Sequence, residues 1–95
     1  MRLILPATLT MHEARDTQRM LTQALRQEAV ASTDATVSVD ASGLQHFDSA
    51  ALVVLLACQR LAQSWGKGFM VHQAPPKLAE LARLYGVAEL LVLAA

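Results

Sequence analysis

The stretch Thr36-Val37-Ser38-Val39-Asp40-Ala41-Ser42-Gly43-Leu44-Gln45-His46-Phe47-Asp48-Ser49-Ala50-Ala51-Leu52 decides the fold. Its first five residues alternate with period two and send β-branched side chains to one side, which predicts a half-buried strand over 36–40. A short loop follows, and then Asp48-Ser49 stands before an apolar run, the residue types that cap a helix. That helix is expected to reach about Trp65 and to close at Gly66, which takes the left-handed conformation after a last turn at little cost. Leu52, Leu55, Leu56, Cys58, Leu61 and Ala62 form its buried stripe.

Working outward, Phe69-Met70-Val71-His72 reads as a second buried strand, and Pro76 fits the first turn of a helix that ends at Tyr85-Gly86. Upstream, Arg2 to Leu5 is a short aliphatic strand that Pro6 confines to an edge. Thr10-Met11-His12-Glu13 has the form of a capping box, so a helix starts there and runs to Gln27 or Glu28. Ala14, Leu21, Ala24, Leu25 and Glu28 form its inner side with Met11 and Gln18, and Arg15, Arg19, Gln23 and Arg26 its outer side. Residues 31–35 form a small polar loop. The tail 87–95 has one charge, and its uncharged end 90–95 leaves three readings open: a final strand or helix packing back, a dimer contact, or a docking segment. Strands and helices that alternate at this spacing imply parallel βαβ units with right-handed crossovers.

Length and composition bound the function. Ninety-five residues make one small domain, taken over 1–95, and 54% hydrophobic with 17% charged residues excludes intrinsic disorder. Eight basic against eight acidic residues, with no basic run, argue against a protein that holds nucleic acid by neutralising phosphates. The lone Cys58 makes no internal disulfide, and the apolar start at Met1 to Pro6 is too short for a secretory signal, so a reducing cytosol is expected. The longest uncharged apolar run, 50–58, is about half of the ~20 residues that a membrane span needs.

Few residues suggest chemistry. His12, His46, His72 and Cys58 lack the spacing of a zinc site, and Asp34, Asp40 and Asp48 form no i, i+3 or i+4 pair for acid-base work. No metal, cofactor or catalytic residue is therefore expected. Cys58 reads as a small buried hydrophobe. Apolar residues at 52, 53, 54, 55 and 56 leave that helix turn wet on no face, so one face meets another protein or an unusually broad sheet. Trp65, Lys67 and Tyr85 are candidate surface anchors. With Asp48 as N-cap, Ser49 opens the helix with its hydroxyl in solvent beside unpaired N–H groups. A phosphate on Ser49 would gain ~0.3–1 kcal/mol from the helix dipole and lose a comparable amount to the Asp48 carboxylate.

The run Val39-Asp40-Ala41-Ser42 to Phe47-Asp48-Ser49-Ala50-Ala51-Leu52 resembles the signature of STAS domains, a strand ending in a D-x-S turn that leads to an Asp-Ser/Thr-x-Gly-Leu helix start. Lys77-Leu78-Ala79-Glu80-Leu81-Ala82-Arg83-Leu84-Tyr85-Gly86-Val87 is similar to the third helix of that family, and more closely to the MlaB-type subunit of the phospholipid-transporting Mla ABC system. The resemblance implies an α/β fold, a single STAS domain with a small mixed β-sheet and helices packed mainly on one face. It implies a non-enzymatic cytoplasmic subunit that binds and supports the ATPase of such a complex and meets the inner membrane only through that partner. The alternative it carries is an anti-sigma factor antagonist, released from an anti-sigma factor kinase by phosphorylation of Ser49. In both, the contact surface falls on Asp48, Ser49, Leu52 and Val53. Three departures stand out: Ala51 replaces the usual Gly and places a Cβ where a partner backbone would approach, Ala50 replaces a frequent second Ser or Thr, and Leu5 to Thr10 is a degenerate first turn. A shortened N-terminal hairpin leaves an edge strand that a partner can cover.

Overall fold

The computed structural model describes residues 2–31, 35–91 and 93–94, with side chains placed at 3–27 and 35–91. Ten elements run in the order β1 (Arg2–Ile4), β2 (Thr8–Leu9), α1 (Ala14–Ala31), β3 (Thr36–Asp40), β4 (His46–Phe47), α2 (Ala50–Ser64), β5 (Gly68–His72), α3 (Pro76–Leu84), α4 (Ala88–Leu91) and β6 (Leu93–Ala94). The strand at 36–40 and the helices that follow stand where their sequence patterns put them. The α/β class is as expected.

The main sheet has strand order β1-β3-β5-β6, and every described ladder is parallel, with Leu3 opposite Val39 and Val39 opposite Val71. The expected mixed sheet is thus corrected to a parallel one. The reason is connectivity: each neighbouring pair in this sheet is joined through a helix, and no tight hairpin links two of its strands. Because the order never reverses, right-handed crossovers deposit their helices on one face. Leu3, Val37, Val39, Phe69 and Val71 point to that face and are buried. The opposite face is only partly covered, with Ile4 69% exposed and Ser38, Met70 and His72 half-buried.

Helix α1 starts from the capping box. The Glu13 carboxylate accepts from the Thr10 N–H at 2.9 Å and from the Thr10 hydroxyl, and Ala14 N–H closes the first turn on the Thr10 carbonyl at 3.0 Å. Those bonds, the hydroxyl's first, hold the Glu13 carboxyl below its usual range. Leu21 and Leu25 are buried and Arg15, Arg19, Gln23 and Arg26 exposed, as the periodicity implies. Met11 is not part of the buried stripe: at 78% exposure it precedes the helix proper, where a 3.6-residue period no longer applies. The helix extends to Ala31, past the expected end. Residues 32–34 of the expected loop, and the side chain of Glu28, lie outside what the structure describes.

Two connecting segments hold more structure than their sequence suggested. β2 and β4 form a two-residue parallel ladder, and Gln45 and His46 both donate backbone N–H groups to the Ala7 carbonyl, at 2.8 and 2.9 Å. This buries Leu9 and Leu44 beneath the helices' starts. In α2 the buried set is Ala51, Leu52, Val54, Leu55, Cys58 and Ala62. Val54 joins the expected stripe, and Leu56 and Leu61 are only half-buried at its margin. The tail resolves into both of its structural readings, the short α4 and then β6 as the far edge strand on β5.

Burial raises the Cys58 thiol from 9.0 to about 11. In the unfolded chain the thiol ionises near its ordinary value, so stability is full below that value and is lost as pH rises through the folded one. The difference between wild-type and Cys58→Ala urea-unfolding curves is expected to shrink from pH 9 to pH 11. A difference that does not change with pH would show that the thiol is not desolvated.

Candidate functional site

Asp48 fixes the start of α2. Its Oδ1 accepts the Ala50 N–H at 2.8 Å and its carbonyl accepts Ala51 N–H at 3.0 Å. Its Oδ2 accepts the Met11 N–H at 3.3 Å, so one carboxylate joins the entries of α1 and α2. Ser49 already has helical angles, φ −61 and ψ −16, and its hydroxyl makes no capping bond. The side chain that caps is thus Asp48, and Ser49 is exposed beside it with its oxygen uncommitted to the fold.

Ser49, just before α2, and Leu52, Val53 and Leu56 within it face Tyr85 and Val87 across an open, largely apolar groove of about 330 Å³. Val53 is 60% exposed and Tyr85 58%. The turn between α3 and α4 positions the far wall. Gly86, at φ +71, lets Val87 N–H reach back to the Ala82 carbonyl at 2.8 Å, and this sets Tyr85 and Val87 on the groove.

Of the residues expected at a contact surface, Ser49 and Val53 are exposed on this groove, and Asp48 is exposed next to it. Leu52 lines the same groove from below. It is 3% exposed and packs in the core, so it forms the groove's floor beneath Val53 rather than a protruding contact. The expectation for Ala51 is corrected. Its Cβ is fully buried, so the methyl faces the core and stands in no partner's path. Tyr85 was legible as an anchor, and the fold places it opposite Ser49. Leu56 and Val87 were missed as groove residues. The signal for Leu56 was its spacing of one turn from Leu52 and Val53; Val87 lay in a tail whose pattern gave no periodicity.

No titratable pair or nucleophile-base arrangement lies on the groove. Among the described residues no three His, Cys, Asp or Glu side chains gather to hold a metal ion. The described strands of the main sheet follow one another without a reversal of order. No described helix is long and apolar enough to cross a membrane.

A parallel α/β domain that leaves a helix start exposed beside an open apolar groove offers a surface on which another protein can dock. A family model described as Mlab, STAS domain matches residues 8–93, and the chain belongs to this STAS family. No curated protein matches the chain.

The split between Asp48 and Ser49 gives a direct test. Asp48→Ala is expected to lower stability by about 1–2 kcal/mol in urea unfolding, and Ser49→Ala to leave it within about 0.5 kcal/mol. Equal losses would mean that the hydroxyl shares the cap. Gly86→Ala is expected to cost about 1 kcal/mol from backbone strain alone, because a Cβ there meets nothing within 4 Å. An unchanged midpoint would contradict the left-handed turn.

Proposed function

We propose that this chain is the non-enzymatic STAS subunit of an MlaB-type phospholipid-transporting ABC complex, cytoplasmic and bound to the complex's ATPase. One observation carries the reading: Val53, a large aliphatic residue, stands exposed one turn from an uncommitted Ser49 hydroxyl, across a groove from Tyr85. Aliphatic and aromatic surface around a small hydroxyl suits a buried anchor from another protein, with the hydroxyl satisfying a polar atom at the rim. The family description, with its MlaB label, supports the ATPase as the partner. Binding there holds the ATPase in its assembled form by mass action, without chemistry on this chain.

A second reading rests on Ser49 itself. A hydroxyl that takes no part in capping is open to phosphorylation without loss of the helix start, which suits an anti-sigma factor antagonist released from its kinase by modification. The two readings share a surface and differ in its chemistry.

Affinity purification from the native cells, with mass spectrometry of the partners and of the Ser49 peptide, separates them. An ABC ATPase and permease with unmodified Ser49 is the expected result, and a kinase with phosphoserine at 49 establishes the antagonist instead. With the purified ATPase, Val53→Glu and Ser49→Glu are each expected to weaken binding by about 2 kcal/mol, some thirtyfold. Wild-type affinity in both variants would place the contact elsewhere.

A further inference from the structure

The eight basic residues are scattered along the sequence, and no run of them suggests a basic surface. The fold gathers four. Arg15, Arg19 and Arg26 follow one another on α1 at intervals of four and seven, which is a single helical stripe. Arg15 and Arg19 line a groove with Gln18 and Thr22, and Arg26 lines a second with Arg60 of α2, where Gln18 and Thr22 recur. The two grooves are therefore one concave track along the α1–α2 pair. It shares no lining residue with the groove at Ser49.

All four arginines are exposed, and none forms an ion pair with another described residue. Asp16, next in sequence to Arg15, lies on an adjacent groove with Arg19 and Met20 and pairs with neither. Arg15 and Arg19 are like charges one turn apart, an arrangement that weakens a helix. A chain of zero net charge thus holds half its cations on one track, with no ion pair to a described residue.

We infer that this track docks an acidic helical segment of a partner protein, at a surface separate from the Ser49 groove. Three features select that occupant. The track is a shallow groove with the Gln18 amide among the arginines, the Thr22 and Ser64 hydroxyls donating to backbone carbonyls of their own helices, and this shape suits the rounded side of a helix rather than a flat bilayer. From Arg15 to Arg26 it extends about 16 Å, three helical turns, at the usual rise, so carboxylates at the same i, i+4, i+11 spacing on a partner helix meet the guanidinium forks. No aromatic side chain lines it, so bases have nothing to stack on, and four cations are fewer than a phosphate-tracking surface uses.

The test uses the full chain and a fluorescent alanine-based peptide of about 18 residues, near the length at which isolated helices form, with glutamates at that spacing. Anisotropy titration is expected to show binding that weakens as salt rises through the range where the Debye length falls below about 10 Å. The double variant Arg19→Glu with Arg60→Glu is expected to bind at least tenfold more weakly and to gain affinity for the lysine version of the peptide. Both positions are exposed, and matching circular dichroism and thermal midpoints establish that the variant is folded. Equal binding of the acidic peptide by wild type and the variant overturns the inference. So does an absence of peptide binding alongside arginine-dependent sedimentation with phosphatidylglycerol vesicles, or arginine-dependent binding of a single-stranded oligonucleotide, because each assigns the track to another class of ligand.

Discussion

The structure depends on β3. It has five residues, bonded along their whole length on one side to β5 and over three residues on the other to β1, and its Val37 and Val39 are fully buried. Two buried aliphatic side chains of this size contribute about 1.5–3 kcal/mol each, and they anchor both crossovers. Placing β3 in the centre also fixes where the chain leaves the sheet. Ala41 N–H bonds to the His72 carbonyl at 2.9 Å, and the chain then turns through Leu44 and β4 to deliver Asp48 to the start of α2. The groove at Ser49 is thus a consequence of the central strand, two elements removed.

Asp48 then couples that position to the rest of the fold. Its two carboxylate oxygens accept backbone N–H groups from the entries of different helices, Met11 before α1 and Ala50 in α2. Charge-assisted bonds of this kind are stronger than neutral ones, and here they set the relative register of the two helices that cover the sheet. The residue that holds the framework and the residue that faces outward are neighbours in sequence, with separate tasks.

Much of this was legible in the sequence, for physical reasons. Thr36 to Asp40 and the caps at Thr10, Asp48, Gly66 and Gly86 are local signals, in which a residue's own conformational preference decides the outcome. The exposed hydroxyl of Ser49 follows from the same helix start. What escaped was non-local. The β2–β4 ladder joins two segments of two residues each, too short for any period to register, and is held by the backbone of Ala7. Burial of Val54 and not Val53 depends on which side of α2 meets the sheet, and a helix apolar on all sides over one turn does not state that. Arg60 joins the stripe of α1 only because α2 packs beside it; the linear order of charges holds no trace of the arrangement.

The parallel topology has a kinetic consequence. Leu3 pairs with Val39 and Val39 with Val71, so each central contact closes a loop of more than thirty residues, and β1, β3 and β5 include no hairpin that could form first. The chain loses the entropy of two long closures before the sheet returns any stabilisation. Hydrogen bonds within a helix close far shorter loops and lose less entropy, so helical order within α1 and α2 forms at lower cost than any of these ladders. The outer edges of β1 and β6 pair with no described strand, and until the sheet forms a nascent chain presents unpaired strand backbone to other chains for longer than a hairpin protein of the same size would.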